Sequence, residues 1–171
     1  MRKILYIVGA IALFLVIFFM VGIVKRTVRF EQELQFDKPP KMVYYAMMNP
    51  MRMDEWIQGF QKAEALDGFL NGPGSRYLMT IKLGGKEFQV LEEITTFKWK
   101  EQLGVHLNFK HMTVIMDINF EKTEEGTQVH INNTITGTSL FWKAMVPYLK
   151  PGLKSHMAAN FENLKYMLDN D

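Results

Sequence analysis

The sequence predicts an α+β chain in which one transmembrane helix precedes a curved antiparallel sheet of about seven strands and a long C-terminal helix. Three observations predict it. Residues 4–24 form a run without a charged side chain. The middle of the chain is a series of segments in which apolar residues alternate with polar ones, the period of a strand with one buried face. In the closing segment apolar residues recur every three or four positions, the period of a helix.

The apolar run, ILYIVGAIALFLVIFFMVGIV, is 21 residues long and bounded by Arg2 and Lys3 before and Lys25 and Arg26 after. At about 1.5 Å per residue a helix of that length spans roughly 30 Å, the thickness of a bilayer's hydrocarbon core. A cleaved signal peptide needs a shorter core of about 7–15 residues and a small-residue cleavage site, and MVGIVKR offers no A-x-A pattern. Residues 1–26 therefore read as a single-pass anchor whose partner is the bilayer, and residues 27–171 as one domain. That domain starts within two or three residues of Arg26 and is expected close to the bilayer surface. Basic residues on both flanks leave the side of the membrane unassigned.

The whole chain has 20 basic and 18 acidic residues. Without the four flanking basic residues of the anchor, the domain carries 16 basic against 18 acidic, a net charge of −2. The basic balance belongs to the anchor, which argues against a nucleic-acid partner. The absence of cysteine excludes disulfides, thiolate nucleophiles and zinc–thiolate sites.

Along the domain, TVRFEQELQF places Val28, Phe30, Leu34 and Phe36 on one face of a strand. Asp37 offers a cap and Pro40 a first helical position for KMVYYAMM. Asn49 and Pro50 repeat the device for a one- to two-turn helix that carries Trp56 and stops at Gly59, with Met48 and Met53 at the positions of a hydrophobic staple. FQKAEAL follows as a strand, then the loop DGFLNGPGS. RYLMTIKL and KEFQVLEEITTF flank Gly84 and Gly85, a two-residue hairpin signal. KWKEQLGVHL alternates through Trp99, Leu103, Val105 and Leu107, HMTVIMDINF through Met112 to Phe120, and TQVHINNTITG through Val129, Ile131 and Ile135. Leu153, Met157, Phe161, Leu164 and Leu168 then mark one helical face, with Pro151 in its first turn and Pro147 breaking it from LFWKAMV.

No catalytic constellation emerges. Ser75, Ser139 and Ser155 lie outside any G-x-S-x-G elbow. His106, His111, His130 and His156 show no metal-ligand spacing. Glu92 and Glu93 point to opposite faces of one strand, and Glu124 and Glu125 fall in a turn. GPGS lacks the lysine and hydroxyl of a phosphate loop. Neither a cofactor nor a metal is expected.

The order of elements, and the segments FDKPPKMVYYAMMNPMRMDEWIQGFQKAE, GPGSRYLMTI, VLEEITTFKWKEQL and ANFENLKYML, resemble the START-like (SRPBCC) superfamily. Within it the chain is most similar to the polyketide cyclase/dehydrase and lipid-transport family, over roughly residues 28–168. The resemblance implies a helix-grip fold: a curved sheet wrapped around the C-terminal helix, enclosing an apolar cavity. Trp56 would then close the end of the sheet beneath the two short helices.

Given such a cavity, Met79, Ile81, Phe88, Val90, Leu103, Met116 and Phe161 are expected on its wall, where flexible thioethers suit varied ligand shapes. Gln32, Glu92, Glu101 and Asn133 are polar residues in phase with the apolar face. Each must be paired, at a rim or against a wet cavity, and Asn133, between Ile131 and Ile135, is the expected cavity residue. Phe141, Trp142 and Tyr148, with Lys143 and Lys150 beside them, suit the headgroup region of a membrane. Three functions fit. One is a non-catalytic domain holding a lipid or other hydrophobic small molecule. The others are a cyclase or aromatase acting on a hydrophobic chain in the same cavity, and a structural accessory with a filled core.

Overall fold

The computed structural model describes residues 2–67 and 72–170; the middle of the expected 67–75 loop, residues 68–71, lies outside them. Helix α1, Arg2–Val24, is long and apolar enough to cross a membrane. After Lys25 and Arg26 the chain enters β1, Thr27–Phe36, which buries Val28, Phe30, Gln32 and Phe36 on alternate positions.

Helix α2, Pro40–Met48, begins one position after Pro39, with no side-chain cap. The expected Asp37 cap is not used because Pro40 holds the residue before it in an extended conformation, so the helix starts no earlier. Asn49 does act as expected: its Oδ1 accepts from the Met51 amide at 3.1 Å. A 3₁₀ turn, Pro50–Arg52, leads from it into the one-turn helix α3, Met53–Trp56.

Six strands follow: β2 Phe60–Asp67, β3 Arg76–Leu83, β4 Lys86–Lys98, β5 Gln102–Asn108, β6 Met112–Thr123 and β7 Gly126–Gly137. With β1 they form one antiparallel sheet in the order β1-β7-β6-β5-β4-β3-β2. Gly84 and Gly85 both adopt positive φ, 56° and 78°, as a tight two-residue hairpin requires. Trp99, expected in a strand with Leu103, instead lies in the 99–101 turn, because β4 continues to Lys98 through an irregularity between Ile94 and Thr96. There its ring packs edge-on against Tyr44 and Tyr45, at 5.3 and 4.8 Å.

Helix α4, Leu140–Asp169, is continuous. The break expected at Pro147 does not occur, and Pro151 is interior to the helix. An interior proline costs about 3 kcal/mol through the lost amide bond and ring clash. Burial on the other faces of the same turns offsets that cost: Ala144 and Val146 are almost fully enclosed, and α1 packs along this half of α4. Gly22 of α1 makes the approach possible, since a Cβ there would stand 2.7 Å from the Ala144 backbone nitrogen. Beyond the prolines, Phe161, Leu164, Met167 and Leu168 are buried, and α4 is seated on β1 and β7. This is the helix-grip architecture expected from the sequence.

Leu164 has no exposed surface and Tyr166 is 73% exposed. Leu164→Ala should destabilise the chain by about 2–5 kcal/mol in chemical denaturation of the detergent-solubilised protein, and Tyr166→Ala by under about 0.5 kcal/mol.

Candidate functional site

Helix α4 rests on one side of the sheet, whereas β3 to β6 curve away beneath its middle. The gap is a cavity of about 360 Å³, capped by α3 and the end of α2. Met79, Ile81, Phe88, Val90, Leu103, Met116 and Phe161 stand on its wall. Alternation explains why: Met79 and Ile81 on β3 lie opposite Val90 and Phe88 on β4, with side chains on the face that looks toward α4. Leu83 and Phe88, at the tip of the β3–β4 hairpin, are both lining and exposed, so the cavity opens there.

Asn133 is not on the wall. It lies under the seated part of α4, 1% exposed, and its Nδ2 donates to Gln32 Oε1 at 3.3 Å. The residue is in the expected phase, but of β7 only Ile135, two positions further on, reaches the cavity; at Asn133 the strand is already covered by the helix. Its Oδ1 has no hydrogen-bond partner among the described residues. Glu101 is exposed in the turn before β5.

The polar residue that does reach the cavity is Glu92. It sits between Val90 and Ile94 on the inward face of β4, opposite Tyr77 of β3 and Leu107 of β5. Burial pushes its pKa from 4.5 to about 7, and no other influence contributes. Tyr77, Gln58, His156 and Asn160 complete the polar part of the wall, which holds no lysine or arginine among the described residues. The helical face that carries Leu153, Met157 and Phe161 also carries His156 and Asn160 one position before two of them. Counting those neighbours in the sequence would have found both.

Trp56 both closes the end of the sheet and forms part of the wall. It is 8% exposed and stacks on Phe161 at 6.0 Å between ring centroids. Two side chains of α4 tie this region down: Asn160 Oδ1 accepts from the Gln58 amide at 3.1 Å, and Asn163 Nδ2 donates to the Trp56 carbonyl at 3.4 Å. Seven methionines line the cavity: Met47, Met48, Met53, Met79, Met112, Met116 and Met157.

At the other end of α4, the ring of Phe18 on α1 lies 5.9 Å from Phe141 and stacks on Tyr148 at 6.2 Å. Trp142 turns the other way and stacks on His111, in the loop between β5 and β6, at 4.5 Å. Phe141 and Tyr148 remain exposed beside α1.

Among solved structures, the chain is similar to Ara h 8.0201, with a TM-score of 0.71 and 17% identity over 85% of this chain and 99% of that one. It is also similar to a protein of unknown function from Staphylococcus aureus, with a TM-score of 0.69 and 15% identity over 84% and 94% of the two chains. A third is StfQ, a di-domain ARO/CYC protein of the steffimycin biosynthetic pathway. The TM-score there is 0.67 at 15% identity, covering 83% of this chain and 50% of that one. These likenesses show the fold: an α+β helix-grip fold. No protein-family profile matches the chain, and no curated protein matches it.

Because the Glu92 pKa is raised in the folded state, the fold binds a proton that the unfolded chain has released. Stability is therefore greatest below pH 4.5 on this account and falls as pH rises through about 7. Glu92→Gln should remove that loss, worth at most about 3 kcal/mol above pH 7. Paired denaturation curves across this range check it.

Proposed function

We propose that the chain is a membrane-anchored, non-catalytic binding protein that holds a lipid or other hydrophobic small molecule in the cavity under α4. One observation carries this reading: the gap between sheet and helix is walled by aliphatic, aromatic and thioether groups and is large enough for a ligand, which starts at about 300 Å³. A chain selected only for stability would fill such a gap, because apolar voids cost stability in proportion to their volume.

Met79, Ile81, Phe88, Val90, Leu103, Met116 and Phe161 are the residues we assign to ligand contact. In this reading residues 1–26 are the anchor and 27–171 the binding domain. The packing of Phe141 and Tyr148 on Phe18, within two turns of the C-terminal end of α1, supports their lying at the membrane on the side where the domain sits, whereas Trp142 faces His111. The cavity's contents would then come from the bilayer itself.

A cyclase or aromatase is the second reading, favoured by Glu92 and Tyr77 on the sheet and His156 on α4 lining one cavity. Catalysis would show as a time-dependent change in the mass of the bound molecule.

Full-length protein extracted in mild detergent should carry a hydrophobic molecule at one per chain, read by native mass spectrometry. Met116→Trp, which places a larger side chain in the cavity, should lower that occupancy at least about tenfold while the fold is retained. A protein that is reproducibly empty and takes up no added lipid would contradict the proposal.

A further inference from the structure

The wall of the cavity is uneven in one respect that the binding reading does not use. Its strand side is hydrocarbon and thioether except at one place, the carboxyl of Glu92 on β4 with Tyr77 directly opposite on β3. An ionised carboxylate in such a setting costs several kcal/mol unless something offsets it. Among the described residues no lysine or arginine faces it. Arg76 points from the opposite face of the sheet and is paired with Asp67. The ionisable side chains that face the cavity among the described residues are Glu92 and Tyr77 on the sheet and His156 on α4. The cavity-facing residues of β2, β5, β6, α2 and α3 bring none.

We propose that Glu92 is the polar anchor for the cavity's ligand, its neutral carboxyl donating a hydrogen bond to a carbonyl or hydroxyl oxygen on an otherwise hydrocarbon molecule. The inference rests on the binding function proposed above and names the ligand's chemistry. Alternatives fit the wall less well. An anionic head, such as a fatty-acid carboxylate, would meet no lysine or arginine there and would sit beside another carboxyl. A cationic amine would have to give up its hydration to form a buried ion pair, whose attraction roughly repays that cost and no more. A neutral carboxyl bonding to a neutral oxygen buries no charge, and it gives the ligand's oxygen a partner in an otherwise hydrocarbon site. Because only the protonated acid donates, a ligand of this kind binds better when Glu92 is neutral. Burial already brings that form into the neutral pH range.

The test uses the full-length protein in nanodiscs, with empty nanodiscs as the blank, at about pH 5 and about pH 9, either side of the Glu92 transition. The probes are 2-undecanone, undecane and undecylamine. The ketone should bind about tenfold tighter at the lower pH, the worth of one hydrogen bond in a dry site. Undecane should bind equally at both. Glu92→Gln, whose amide still donates, should keep the tighter ketone affinity and lose the pH response. Glu92→Leu should bring the ketone down to the affinity of undecane; if that variant does not fold, the wild-type and Gln profiles decide alone. The proposal is overturned if wild type holds the ketone equally at both pH values, or if the response survives in Glu92→Gln, which would make His156 its source. It is also overturned if undecylamine binds tighter than the ketone at the higher pH and loses that advantage in Glu92→Gln, since the carboxylate would then be acting as an anion. Entry of undecane without a ketone response would overturn only the role of Glu92, whereas exclusion of both probes would overturn the binding function as well.

Discussion

Everything distinctive in this molecule depends on where α4 is seated. The helix lies on β1 and β7, where Phe161, Leu164, Met167 and Leu168 find a dry partner face of Val28, Phe30, Val129, Ile131 and their neighbours. A curved seven-stranded sheet cannot touch a straight helix along its whole width. Contact on one flank therefore implies separation on the other, and β3 to β6 stand off. The cavity is the geometric remainder of that seating. Trp56 and Phe161 close the remainder at one end by stacking, which fixes how far the helix stands above the strands there.

The same helix has a second set of neighbours before its prolines. Gly22 lets the α1 backbone come against Ala144, and Phe18 lies between Phe141 and Tyr148. One continuous helix thus joins the N-terminal apolar helix to the cavity wall. Pro147 leaves the Lys143 carbonyl without its helical donor, as Pro151 does for the Pro147 carbonyl. The weakest backbone bonding in α4 falls between its two packing partners.

Much of this was legible in the sequence because it rests on period and punctuation. Alternation placed the inward faces of β3 to β7, the two-glycine hairpin placed the β3–β4 turn, and Asn49 placed a cap. What the sequence withheld depends on distant contacts. Asn133 and Glu92 have the same pattern, each an in-phase polar residue between buried aliphatics. Only the position of α4 decides that one is pressed beneath the helix beside Gln32 while the other faces open space. Pro147 and Pro151 carry a strong local signal to end a helix, and tertiary packing by α1, Ala144 and Val146 overrides it. Trp99 was misplaced because alternation cannot reveal an irregularity, such as the one after Ile94, that lengthens a strand.

The methionine-rich wall has a consequence for oxidation chemistry. With no cysteine in the chain, sulfur chemistry falls on thioethers alone, and 7 of the 13 methionines surround one cavity. Oxidation of a thioether to its sulfoxide turns a flexible apolar side chain into a polar, chiral one. A few such events would leave the strands and α4 in place yet change the lining from a surface that repels water to one that holds it. Leu83 and Phe88 mark the opening by which a small oxidant would enter. A tenant molecule would shield those sulfurs, so the oxidation state of the wall would record how long the cavity had stood unoccupied.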